Sequence, residues 1–226
     1  MQNSDPTTTN PTTTEQNAPA TSGERRFQIN TLPFGIMKKS LVITPQSITY
    51  GDKTLATDAV ETITTQIVRS STNGIRTSTA YTLMLGATTP ADGHVINFSD
   101  LFYGSSKGKM FDEILDIIME HAGMSLLTRL VARIQEGGSV AIGAAEFRKD
   151  GVLLTPTRML VFKGEPVLVP YERLEIGMKD GSVSFEDREN KKAAVEFSMG
   201  STPNSYMIAP LYDYLVAKQG WRDLTS

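Results

Sequence analysis

Two phrases in this chain nearly repeat each other, one small domain apart. "SLVITPQSITY" spans 40–50 and "GVLLTPTRMLVF" spans 151–162. Both run aliphatic residues into Thr-Pro and then into a short apolar strand. The pairs Thr44-Pro45 and Thr155-Pro156 lie 111 residues apart. The match widens around them. "PFGIMKKSLVITP" (33–45) aligns with "AIGAAEFRKDGVLLTP" (141–156), and "AVET" (59–62) and "RLEI" (173–176) take similar places downstream. Five matched residues arise by chance, but a matched order of strands, turns and terminal helix marks a duplicated unit. The 226 residues suffice for two small domains.

Each copy reads as an antiparallel meander. In the first, apolar and β-branched runs place strands near 40–44, 47–50, 59–69, 75–86 and 94–98. Ser71-Thr72-Asn73-Gly74 separates two long Thr/Ile/Val-rich runs, and Asn-Gly there signals a tight hairpin because both residues tolerate positive φ. Asp150-Gly151 and Asp180-Gly181 play that part in the second copy. "SVSFED" (182–187) and "AAVEFSM" (193–199) alternate with period two, as half-buried strands do.

Each meander then runs into a helix. Phe111, Ile114, Leu115 and Ile118 paint one apolar stripe. Ser105 or Ser106 caps its start in this reading, and Gly123 stops it. A second stripe, Leu126, Leu127, Leu130, Val131 and Ile134, predicts a joining helix over 124–136. Thr202-Pro203 opens the last helix, with Pro203 suited to a first turn. Pro210 then kinks that helix or marks where its regular part begins. The expected organisation is a Thr/Pro/Asn-rich tail over 1–24, too poor in large apolar residues to offset its ordering entropy. A first domain follows over 25–123, a linker helix over 124–138, and a second domain over 139–226.

Composition excludes several function classes. Lys plus Arg total 22 against 25 Asp plus Glu, a net charge near −3. A broad nucleic-acid footprint needs clustered excess cations, so nucleic acid is not an expected partner. The absence of cysteine removes disulfide staples, thiol catalysis and thiolate metal sites. No run approaches the roughly 20 apolar residues of a membrane span. A soluble, cytoplasmic protein is expected, without cofactor or metal.

Seven or so antiparallel strands followed by one helix resemble the pleckstrin-homology-like fold, in the form found in bacterial-type, largely uncharacterised proteins. The residues that carry the resemblance are "KDGVLLTP", "VPYERLEIGMKDGSVSF" and "PNSYMIAPLYDYL" in the second copy. It covers about 27–123 and 139–219 and is weaker in the first copy. It implies a mainly β (α+β) chain of two tandem barrels or meanders, each capped by its C-terminal helix and joined by a short helix. It also implies binding in general, without naming a ligand.

Candidate chemistry is sparse. "GSSKG" (104–108) matches Gly-x-Ser-x-Gly, which in a hydrolase puts a serine, here Ser106, on a sharp strand-to-helix turn. The only downstream histidine is His121, some four turns along the same helix, so a triad fails. Lys107 and Lys109 at a helix start suit an anion, although an ordinary capping loop carries lysines too. Lys38 and Lys39, near Arg25 and Arg26, stand where lipid-binding members of the resembled family place basic residues, but the Lys/Arg-x-Arg triplet of that pattern is missing. His94 and His121 sit on different elements without paired carboxylates, which disfavours a metal. "EDRENKK" (186–192) reads as a solvated hairpin tip. Trp221 is expected to pack on the rim of the second domain.

The expected function is therefore a non-catalytic interaction module, in which an exposed sheet edge or a strand–helix groove takes a protein or peptide. Peripheral binding to anionic lipid through Lys38, Lys39, Lys107 and Lys109 is the first alternative, and a hydrolase using Ser106 the second. The Thr-rich run "ETITTQIVRSSTNG" suits either a solvated face or an edge paired with another copy of the chain, and the oligomeric state stays open.

Overall fold

The computed structural model describes residues 23–30, 38–101, 106–158 and 162–223. The expected tail over 1–24 lies almost wholly outside the described residues, as do Ser105 and the side chain of Trp221.

The first half opens with a four-stranded antiparallel meander of β1 (Arg25–Asn30), β2 (Lys38–Ile43), β3 (Ser47–Tyr50) and β4 (Lys53–Ala56). A three-stranded meander follows, built from β5 (Val60–Thr72), β6 (Ile75–Ala87) and β7 (His94–Leu101). The Asn73-Gly74 hairpin is formed as the sequence predicts. Both residues have positive φ, 52° and 78°, and Thr72 pairs with Ile75 across them. That mirror-image turn matches the right-handed twist of two long strands.

The second half repeats the order. A four-stranded sheet has β8 (Val140–Ile142), β9 (Ala145–Arg148), β10 (Gly151–Leu154) and, after a small hairpin, β13 (Val167–Val169). The small hairpin is β11 (Thr157–Arg158) with β12 (Phe162–Lys163). A three-stranded sheet of β14 (Leu174–Lys179), β15 (Ser182–Asp187) and β16 (Ala194–Ser198) comes next. The protein is mainly β, and each half keeps two separate meanders. Among the described residues no ladder closes them into the expected barrel.

The repeated Thr-Pro phrase ends a strand in both halves, but the routes after it differ. Thr44 turns the chain at once: its hydroxyl accepts the Ser47 N–H at 2.9 Å and its own N–H donates to the Ser47 carbonyl at 2.8 Å. β3 therefore returns against β2. After Thr155-Pro156 the chain leaves into β11 and β12, and β10 pairs with β13 instead.

The helices depart from expectation at two points. Gly123 does not stop the first helix. α1 (Ser106–Ile118) passes through a π turn (Met119–Gly123) into α2 (Met124–Gln135), and Gly123 keeps helical angles of −61° and −43°. The π turn holds an extra residue and resets the helical phase. The buried stripe of Phe111, Ile114 and Ile118 thereby continues through Ala122 into Leu126, Leu130 and Ile134. The helix ends at Gly137, whose φ is +90°. The Gly138 N–H reaches the Arg133 carbonyl and the Gly137 N–H the Ile134 carbonyl, a Schellman closure. Likewise Pro203 lies ahead of the last helix. α3 (Ile208–Asp223) starts five residues later, and Pro210 falls in its first turn, where a missing N–H costs nothing.

One continuous buried cluster runs through both halves, from Ile29 and Leu41 through Ile134 and Val140 to Leu211 and Leu215. Aromatic rings anchor it at both ends. Tyr81, Phe98 and Phe111 pack with centroids 5.3–6.0 Å apart, and Phe185 lies 5.9 Å from both Phe147 and Phe197. Such ring pairs add stabilisation beyond their buried area.

Candidate functional site: the free edge of the long hairpin

β5 and β6 are each 13 residues long, more than twice the usual strand. The base of β5 is packed: Val60, Ile63, Thr64 and Thr65 are buried. From Gln66 to Thr72 every side chain of β5 is exposed, on both faces. Ile67 and Val68 stand 45% and 47% exposed in the middle of that run. β5 is the outer strand of its sheet, so its second edge faces outward.

The base of that edge is occupied from within the chain. The segment after β16 brings Asn204 against β5 in left-handed backbone, φ 61°. The Asn204 N–H donates to the Ile63 carbonyl at 2.9 Å, and Oδ1 accepts the Ile63 N–H at 2.9 Å. Its Nδ2 donates to the Glu61 carbonyl at 3.1 Å. Thr65 and Tyr206 add a hydroxyl pair at 3.0 Å. Asn204 thus supplies the hydrogen bonds a neighbouring strand would supply, satisfying main-chain groups that are costly to leave unpaired when buried.

These bonds also fix which groups face outward. The main chain of Glu61 and Ile63 points away from β6. The β5–β6 register runs without a shift from Thr62 to Ser70. Strand alternation then turns the N–H and C=O of Ile67 and Arg69 outward as well. Among the described residues no main-chain bond from outside the hairpin reaches either one.

Arg129 braces the base from the helix side. Its guanidinium donates to the carbonyls of Asp58 and Val60 and, at 2.7 Å, to the Ser125 hydroxyl. His94 is buried, and its Nε2–H donates to the Ile48 carbonyl at 2.9 Å, tying β7 to β3. It is a structural crosslink between the two meanders of the first half.

The basic residues singled out in the sequence fall on separate elements. Lys38 and Lys39 are consecutive on β2, so they point to opposite faces. The Lys39 ammonium lies 5.2 Å from the Tyr50 ring centroid, a cation–π contact. Lys107 and Lys109 lie in the first turn of α1, where Lys107 donates to the Ser99 carbonyl and Lys109 is exposed. Ser106 is the first residue of α1, and His121 lies in the π turn, roughly 22 Å further along the axis.

Two of the grooves on the described surface border the 124–142 segment. One of about 770 Å³ opens between the 137–139 turn and the β9–β10 hairpin, with Glu146, Arg148, Asp150 and Glu172 on its walls. The Ser139 hydroxyl, and after it the Arg148 guanidinium 2.9 Å away, hold the Glu146 carboxyl below the usual range against some burial. The other, about 310 Å³, lies between the halves beside Glu61, Arg129, Arg133 and Asn204. Both carry charges of both signs. Among the described residues no group of acidic or histidine side chains is placed to hold a metal, and no helix is long and apolar enough to cross a membrane.

No protein-family model matches this chain, and no curated protein matches it.

Proposed function

We propose that the chain is a non-catalytic interaction protein built from two pleckstrin-homology-like units, which binds an extended protein segment along the free edge of β5. The four-strand, three-strand, helix order of each half supports the two-unit reading. The observation that carries the binding site is the split use of one edge. Glu61 and Ile63 already take strand-like hydrogen bonds from Asn204, while Ile67 and Arg69 offer the same groups to solvent. An added strand gains main-chain hydrogen bonds from the edge and side-chain contact from Ile67 and Val68.

The test is a displayed library of extended peptides selected on the full-length chain, with amide exchange read residue by residue. Selected peptides slow exchange at Ile67 and Arg69, and Ile67→Pro, which removes one outward N–H, abolishes their binding. Peptides that protect Lys38 and Lys39 instead, leaving β5 unchanged, would overturn this reading.

A further inference from the structure

The same edge is shaped to accept itself. Resting on the reading of β5 as a strand-adding edge, we infer that its occupant is β5 of a second copy, paired antiparallel about a two-fold axis at Val68.

Three observations set that register. The outward main-chain groups belong to odd-numbered residues, as the Asn204 contacts at Glu61 and Ile63 show. Two such edges therefore pair odd with odd. An axis at Ile67 places Arg69 opposite Thr65, whose outward carbonyl already has Gly200 of the same chain against it. An axis at Arg69 sets two guanidinium groups face to face, which is destabilising. An axis at Gln66 runs Arg69 into Ile63, which Asn204 holds, and one at Ser70 runs the pairing across the register shift at Ser70/Ser71. An axis at Val68 places Ile67 opposite Arg69 of the second copy and Gln66 opposite Ser70. Val68 meets its own counterpart.

The side chains suit that arrangement. Ile67 and Arg69 exchange main-chain hydrogen bonds across the pair, and the Arg69 stem lies along Ile67 while its charge reaches water. Val68 falls at a non-hydrogen-bonded position, where facing side chains approach most closely. Its 47% exposure in the single chain is then removed. Single edges are commonly guarded by charges, proline or bulges. Here Arg69 is the one charge between Gln66 and Thr72 and the register shift lies beyond Ser70, so Ile67 and Val68, both β-branched and apolar, stand on the regular stretch before it. The intrachain bond at Ile63 stops where the intermolecular pairing starts, so both use one continuous edge. A strand pair is a small contact, which makes the dimer concentration-dependent.

The chain has no cysteine, so an introduced thiol reports on its own position. Val68→Cys in the full-length protein, under mild oxidation, forms a disulfide-linked dimer at twice the 24.7 kDa chain mass. The facing Cα atoms of that register, about 4.5 Å apart, lie within disulfide reach. Gln66→Cys, four residues out of register with its own counterpart, stays monomeric. Light scattering on the unmodified chain shows mass rising with concentration, and Val68→Lys holds it at one chain. A chain that stays monomeric, with Val68→Cys uncrosslinked, overturns the second-copy inference, and faster crosslinking of Ile67→Cys overturns the register. Neither result touches the peptide-exchange test above, which decides separately whether the edge adds a strand.

Discussion

Asn204 meets Ile63 as one β-strand residue meets another, giving an N–H to its carbonyl and taking its N–H onto Oδ1, both at 2.9 Å. The two residues are 141 apart in sequence. The second half of the chain is fastened through this pair to the outer strand of the first.

Asn204→Ala removes the acceptor and donor while keeping the backbone, and leaves the Ile63 N–H buried without its partner. Left-handed backbone also suits alanine poorly. The expected loss is about 2–4 kcal/mol in denaturant unfolding, with faster exchange at the Ile63 amide. Asn204→Gly, which tolerates that φ, recovers the backbone part alone. An Asn204→Ala protein as stable as the unmodified chain would refute the fastening.

Arg129 tests the other brace. Arg129→Met keeps the aliphatic stem on α2 and releases the carbonyls of Asp58 and Val60. Charge-assisted bonds of this kind contribute about 1.5–3 kcal/mol each at most, and solvent can recover part. A loss of roughly 2 kcal/mol is expected, with increased exchange at the start of β5. Equal stability would assign the arginine to the surface.

Asp187 makes stability depend on acid. Its carboxylate accepts from Arg173 Nε at 3.0 Å and from the Glu189 N–H at 3.0 Å, and a second guanidinium contact completes a fork. The Arg173 hydrogen bond, ahead of burial acting the other way, holds Asp187 below the ordinary carboxylate value. A folded-state value lower than the unfolded one stabilises above the unfolded pKa and is lost as pH falls through the folded one. Thermal stability therefore falls below about pH 4, and Asp187→Asn gives a lower melting temperature at neutral pH with a flatter acid limb. An unchanged acid limb in the variant would remove Asp187 as its source.

The glycines of the two Asp-Gly pairs should respond differently to alanine: Asp180-Gly181 is the turn itself, both at positive φ, whereas Gly151 already pairs with Arg148 at the start of β10. At Gly151 an added Cβ would lie 2.3 Å from the Val169 carbonyl oxygen, a main-chain atom of the adjacent strand. At Gly181 it would meet nothing within 4 Å. Gly181→Ala is expected to lose about 1–2 kcal/mol from backbone strain alone, and Gly151→Ala clearly more. The comparison is read by denaturant midpoint, and equal losses would contradict the close approach of β10 and β13.

Local signals in the sequence were strong where one short segment decides its own conformation. Asn73-Gly74 specifies its turn, and the stripe of Phe111, Ile114 and Ile118 specifies a buried helix face. Gly123 misled because a glycine can end a helix or sit inside one. Here Met119 packs over it, and the true end lies at Gly137-Gly138. Lys107 reads as a solvated charge until folding brings the Ser99 carbonyl within its reach. The exposed edge was legible only as a Thr-rich strand. Its division into a closed base and an open tip depends on Asn204, and no local pattern announces a partner so far along the chain.

The uninterrupted passage from α1 through the π turn to α2 has a practical consequence. A cut at Gly123 would split a rod whose lower side is already wedged between sheets, baring Leu126, Leu130 and Ile134 on one fragment and Ile118 on the other. The halves repeat like cassettes but cannot be handled as such. They are expected to melt in a single step, and either one expressed alone would arrive greasy and prone to clump.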